Sequence, residues 1–485
     1  MQLRSSRVTP VKGASQNGSC ATTNGVASNP QRKSRVNMEE GGASSQQQQS
    51  RAYIFLHYTL VPFGMLTVIP NLTLILWFTT VSCDGSYTVF LQHMAKHDVI
   101  GGLALIWMEA YSQMTWDVWA VLLSYCVFAL ILMVAVPGPE VHGPLTPKGN
   151  IPVYKDNGCR CYVLTLISFA ALTYVLYVNG LTPTVVYDKL AGYLLATNIL
   201  GHILCIYLLW KGINNPTTTD SGSSGNVLFD YYWGTDLYPR VYGVDVKVFT
   251  NCRFGMTVWP LLILIYCLKS YELHGFVDSA WLSCALQLVY ISKFFWWEAG
   301  YYGSIDIIVD RAGYMLCWGC LCYIPGMYAS VSMYLVRHPL QLGPLYTSLI
   351  LVAGTAAILV NYWADYQRQV TRQTRGKTLI WGKTPRLIHA KYELEQGEVK
   401  DSILLVSGFW AVARHFNYIP EILLAFFWSL PALFTHLMPY SYVIYLTILL
   451  THRAYRDDEK CFKKYGKYWE KYCQLVPYKM LPGIL

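Results

Sequence analysis

Hydrophobic and polar positions along this chain fall into long blocks. Runs of mostly apolar residues, near the roughly 20 a helix needs to cross a bilayer, occupy 53–81, 116–137, 162–182, 190–211, 255–271, 277–295, 313–336 and 344–363. The stretch 421–451 is too long for one span and contains Pro431 and Pro439. It reads as two spans with a tight turn, or as one span and a re-entrant piece. The run 98–111 is shorter than a span requires. The pattern predicts an all-α polytopic membrane protein of about ten transmembrane helices, since a helix satisfies its own backbone hydrogen bonds in lipid.

Composition agrees. The 485 residues are 54% hydrophobic and only 13% charged, against about 25% charged in an ordinary soluble domain. Mean hydropathy is +0.30. Residues 1–51 are different material, rich in Ser, Gln, Asn and Gly, with no pattern that could bury a core. They predict a disordered, basic, cytosolic tail ahead of one membrane domain over 52–485. Basic residues also crowd the C-terminal end, from Arg453 and Arg456 to Lys471. By the positive-inside rule both termini face the cytosol, which favours an even number of spans.

Several chemistries are not signalled. There is no glycine-rich dinucleotide fingerprint, no P-loop, no serine elbow and no metal-ligand spacing among the 11 histidines. Cys317, Cys320 and Cys322 sit in an apolar run and read as small buried residues. Ionisable groups at membrane depth are costly and mark candidate sites. Lys293, Glu298, Asp306, Asp310 and Arg311 lie between two spans, where mutual ion pairing competes with a functional role. The polar loop 364–402 holds Arg368 and Arg372, and reads either as a lipid-touching basic loop or as an anion-binding wall. The last segment, "THRAYRDDEKCFKKYGKYWEKY", alternates charge and aromatics at helical spacing. It reads as a surface helix or as a site where cations meet phosphate and aromatics meet a planar ring.

Two stretches carry a family resemblance. "DYYWGTDLYPR" (Asp230 to Arg240) resembles the first signature of the integral-membrane sterol reductases, and "LLVSGFWAVARHFNY" (Leu404 to Tyr418) resembles the second. The resemblance covers about 52–485, and the blocks "KVFTNCRFGM", "KFFWWEAGY" and "DRAGY" are similar to the plant-type Δ7 branch. Where the family usually reads Gly-Trp-Trp-Gly, this chain has Gly408, Phe409, Trp410 and Ala411; Tyr238 also departs from the first signature.

The resemblance implies NADPH-dependent reduction of the Δ7 double bond of Δ5,7-sterols, with sterol drawn from the bilayer of the endoplasmic reticulum. It implies cofactor contacts from Arg368, Arg372, Leu405, Trp410, Asn417 and Tyr418. Further contacts follow from Asp457, Cys461, Phe462, Lys463, Lys464, Tyr465 and Tyr472. An acid must complete the reduction. Tyr301 is the candidate, with Glu298 three residues earlier on nearly the same helix face to orient or recharge it. Competing expectations are Δ14-sterol reduction, a non-catalytic sterol-binding protein and an isoprenylcysteine-type methyltransferase.

Overall fold

The computed structural model describes residues 54–484 except Pro147 and Gln396; the expected tail 1–51 lies outside the described residues. Residues 51–485 form one compact unit. Among the described residues, seven helices are long and apolar enough to cross a bilayer: Leu56–Val81, Trp116–Ala135, Gly158–Val178, Leu190–Asn214, Val246–His274, Tyr314–Leu335 and Gly343–Gln373. They occupy seven of the expected spans. Two more expected spans are helical but carry polar residues. Asp278–Trp296 turns Ser279, Ser283 and Gln287 inward, each fully buried, which lowers its mean hydropathy. The 421–451 stretch resolves into helix Tyr418–Ser429, two short turns that contain Pro431 and Pro439, and helix Ser441–Tyr465. Proline cannot continue the helical hydrogen-bond ladder, so the break falls there. The 98–111 run is helical over Val99–Gln113, at 15 residues short of a span. Ten is thus an approximate count.

Burial sorts the helices into an inner and an outer layer. The most apolar windows of Val246–His274 and Tyr314–Leu335 are 72% and 83% buried, whereas those of Trp116–Ala135 and Gly158–Val178 are 17% buried. The inner pair therefore forms the core, and the outer pair presents apolar side chains outward, as a lipid-facing helix must. The inner helix contains a π-helical turn, Phe249–Gly255. Such widened turns re-aim side chains, and this one carries Asn251 and Arg253.

Within the polar loop, Leu387–Glu393 pairs antiparallel with Val399–Leu405, register Leu387↔Leu405 to Glu393↔Val399. Ile388, Ala390 and Leu404 of this hairpin, with Val406 just after it, pack against Trp469 and Tyr472 of the last helix, Lys467–Leu475, and Val476 at its end. Two stretches distant in sequence are so fixed around one space.

Candidate active site

Three helical stripes and the second signature converge on a cavity of about 530 Å³. Asn361, Asp365, Arg368 and Arg372 recur at helical spacing on Gly343–Gln373. Tyr290, Lys293, Phe294 and Trp297 do so at the end of Asp278–Trp296, and Leu450, Arg453, Asp457, Cys461 and Lys464 along Ser441–Tyr465. Residues three, four and seven apart share one helix face, so each helix offers the cavity one side. Leu405, Trp410, His415, Asn417 and Tyr418 close the remaining wall.

One end is cationic and aromatic. Trp410 is buried and donates its indole N–H to the Ala364 carbonyl at 2.8 Å. The Arg368 guanidinium lies over its ring, 4.2 Å from the centroid, and donates to Asp365 at 3.3 Å. Asn417 also donates to Asp365, at 3.1 Å. Arg372 faces the cavity and, among the described residues, no carboxylate pairs with it. Lys464 sits 4.0 Å over the Tyr392 ring, while the Tyr465 and Ser402 hydroxyls meet at 3.3 Å. Tyr472 donates to the Trp410 carbonyl at 3.4 Å. Asp457 pairs loosely with Lys460 at 4.0 Å and accepts from the Cys461 thiol at 3.9 Å.

Two buried polar atoms in this wall, His415 Nε2 and Asn417 Oδ1, have no hydrogen-bond partner among the described residues. Burial pushes the His415 imidazole down to about 4, so the ring is neutral at physiological pH. Arg414 serves the fold more than the cavity. It donates to the carbonyls of Val476 and Pro477 at 2.7 and 2.9 Å and reaches Asp458 at 3.3 Å, tying down the C-terminal segment.

Of the implied cofactor residues, eleven line the cavity: Arg368, Arg372, Leu405, Trp410, Asn417, Tyr418, Asp457, Cys461, Lys464, Tyr465 and Tyr472. Phe462 and Lys463 face the other way. Phe462 is exposed, and Lys463 pairs with Glu459 at 2.6 Å with both side chains in the open. The helix explains this. Positions 457, 461, 464 and 465 share a face, which 462 and 463 cannot join. The unusual residues of the signature also separate. Phe409 stacks on Phe416, centroids 4.7 Å apart, beside Trp363 and Trp381. The Ala411 methyl belongs to an exposed residue. Gly408 is required, because its φ is +63° and a Cβ there would meet Gln367 Oε1 at 2.2 Å.

Tyr301 lines the cavity as well, with Phe294, Trp297, Ile305 and Ile308 on that wall and the Asp306–Arg453 ion pair nearby. The expected Glu298–Tyr301 partnership is not formed. Glu298 is buried outside the cavity wall in an ion pair with Arg253, whose second nitrogen bonds the other carboxylate oxygen at 2.9 Å. Asn157 accepts from Arg253 at 2.7 Å, and Tyr302 donates to Glu298 at 3.1 Å. A buried carboxylate needs a cation, and Glu298 takes one 45 positions earlier in the chain. Tyr301 instead accepts a hydrogen bond from the Asn251 amide. Burial, reinforced by the nearby Asp306 carboxylate, pushes the Tyr301 phenol well above its ordinary value, so it stays protonated.

The two aspartates between the spans pair with the last long helix rather than with their neighbour Arg311. Asp306 binds Arg453, Asp310 binds Arg456, and Arg311 donates to the Gly222 carbonyl. Lys247, fully buried, donates to the carbonyls of Leu237, Ile307 and Asp310 at 3.1, 2.8 and 2.6 Å. Lys247 therefore ties Leu237 of the first signature to the turn that carries Asp306. Asn251, Tyr290, Asn361 and Glu421 were not singled out from sequence. Only the helical spacing of Tyr290 with Lys293, Phe294 and Trp297 hinted at that wall.

Residues 52–485 match the ergosterol biosynthesis ERG4/ERG24 family. This chain is a member of that family. Among its relatives is a protein named 7-dehydrocholesterol reductase from Arabidopsis thaliana, 47% identical over 423 residues, covering 87% of this chain and 96% of the relative. One of the same name from Danio rerio is 34% identical over 424 residues, covering 84% and 88%. A Delta(14)-sterol reductase from Methylotuvimicrobium alcaliphilum is 32% identical over 426 residues, covering 87% and 93%. The family match spans both signatures and every wall of the cavity.

Proposed function

We propose that this protein is an NADPH-dependent reductase of the Δ7 double bond of Δ5,7-sterols. It would work in the endoplasmic reticulum membrane with both termini in the cytosol. The observation that carries the reading is a cavity lined by Arg372 and an Arg368 stacked on Trp410, and also by a positioned phenol with Phe294, Trp297, Ile305 and Ile308 on its wall. The Arabidopsis relative's name supplies the bond position.

The cationic end fits a phosphorylated dinucleotide. Arg372 offers a guanidinium that no carboxylate among the described residues pairs with, and Arg groups bind phosphate oxygens bidentately. His415 Nε2 and Asn417 Oδ1 offer unmet hydrogen-bonding capacity. Arg368, stacked on Trp410, supplies a second fixed cation. Arg368, Arg372 and Trp410 would hold NADPH there, and its nicotinamide would supply the hydride for one carbon of the double bond.

The chain's own residues do the rest. Phe294, Trp297, Ile305 and Ile308 on the Tyr301 wall hold the rings and keep water from the reacting carbons. Tyr301 gives its phenolic proton to the second carbon. Asn251 donates to the phenol oxygen, so the phenolic hydrogen points elsewhere, and the same donor stabilises the phenolate left behind. Phenylalanine in place of Tyr301 should cut turnover about 10²- to 10⁴-fold, the range of general acid catalysis, while NADPH still binds. Unchanged turnover would remove Tyr301 from the mechanism. A second reading, Δ14 reduction, is favoured by the relative of that name at 32% identity.

A further inference from the structure

Two opposite charges face this cavity without meeting. Lys293 and Glu421 both line it, and Lys293 is near enough to act electrostatically on the Glu421 carboxylate. Each is held by a neutral partner instead. Lys293 donates to Asn361 Oδ1 at 2.5 Å, and Tyr290 donates to Glu421 Oε1 at 2.5 Å. Asn361 is fixed in turn, donating to the Asn417 carbonyl at 2.9 Å. Neither Lys293 nor Glu421 forms an ion pair among the described residues. Charges at membrane depth normally close on one another, because a separated charge is costly there. A gap held open by neutral neighbours suits a ligand group that both donates to a carboxylate and accepts from an ammonium. A hydroxyl does both.

The surrounding wall sets a direction. Tyr290, Lys293, Phe294 and Trp297 form one stripe, and about 10 Å separate Tyr290 from Trp297 along the helix. Beyond Trp297 comes Tyr301. A flat ring system lying on Phe294 and Trp297 would place one end at the Lys293–Glu421 gap and its middle toward the phenol. We propose that Glu421 and Lys293, with Tyr290 holding the carboxylate, form the subsite for the substrate's ring hydroxyl. The subsite thereby sets which double bond lies at Tyr301. This inference rests on the sterol-reductase reading above.

The test compares two dienes: cholesta-5,7-dien-3β-ol and its deoxy analogue cholesta-5,7-diene, each with NADPH. The intact enzyme should prefer the alcohol by roughly tenfold or more in kcat/KM, as expected for a hydrogen bond to a charged group. Glu421→Gln and Lys293→Met should each bring the preference to within about threefold by losing rate on the alcohol. Tyr290→Phe, the mildest change, should lower it partway. Equal use of both dienes by the intact enzyme would overturn the subsite. Equal slowing of both dienes in Glu421→Gln would also overturn it, since the carboxyl would then serve the reacting atoms or the fold. Consumption of neither diene would defeat the reductase reading, and the subsite with it.

Discussion

Removing the cation beside Glu298 should unfold this protein more readily than removing both charges. Arg253 and Glu298 have side-chain exposures of 2% and 0%. Asn157 and Tyr302 complete the cluster, and a Cβ at Gly158 would fall 2.2 Å from a Glu298 oxygen, so no room exists for a substitute partner. Arg253→Met strands a buried carboxylate, a loss of about 3–5 kcal/mol. The double variant Arg253→Met with Glu298→Gln leaves no charge to strand, and replacing a buried pair outright is often close to neutral. It should recover most of that loss. Cys252, Cys317 and Cys322 are buried, so a thiol-reactive dye in detergent reports unfolding as these sulfurs become exposed. Turnover is then measured on the fraction still folded. The reasoning predicts a low midpoint for Arg253→Met, a near-normal midpoint for the double variant, and retained turnover per folded molecule in the latter. A stable double variant without activity would refute it and return Glu298 to the chemistry.

Three other outcomes follow from the cavity. The His415 ring, held down to about 4, binds a proton less readily when folded than at its ordinary value near 6.5. Its contribution is therefore complete above about pH 6.5 and is lost as pH falls toward 4, by about 3 kcal/mol. Unfolding midpoints at several pH values should show that slope, and His415→Asn should flatten it. Arg372→Gln should raise the KM for NADPH by roughly 10- to 100-fold, since a charge-assisted hydrogen bond contributes about 1.5–3 kcal/mol, with kcat changed far less. Lys463→Ala should leave that KM within about twofold, because exposed ion pairs contribute little; a large rise would place Lys463 on the cavity.

The spans were legible because lipid demands long apolar helices, and the inner pair is less apolar than the outer because protein rather than lipid covers it. Asp278–Trp296 was legible too, as the span 277–295, although its inward-facing Ser279, Ser283 and Gln287 lower its mean hydropathy. The hairpin 387–405 was hidden inside a loop whose charges drew attention from the alternating Ile388, Ala390 and Leu404. At the site, the resemblance brought eleven residues to one cavity. Helical periodicity alone would have set aside Phe462 and Lys463. The pairing of Glu298 was not legible for a different reason. Its partner Arg253 comes from a π-helical turn on another helix, and no local pattern around Glu298 points there. The same turn supplies Asn251 to Tyr301, so both the mistaken partnership and its replacement depend on non-local packing.

The most direct test of the central claim is optical. Membranes carrying the protein receive NADPH with 7-dehydrocholesterol, and separately with a Δ8,14-sterol, and the products are identified. Loss of the conjugated 5,7-diene absorbance, with the Δ8,14-sterol untouched, is the predicted result. Reduction of the Δ8,14-sterol alone, or of neither, would contradict it.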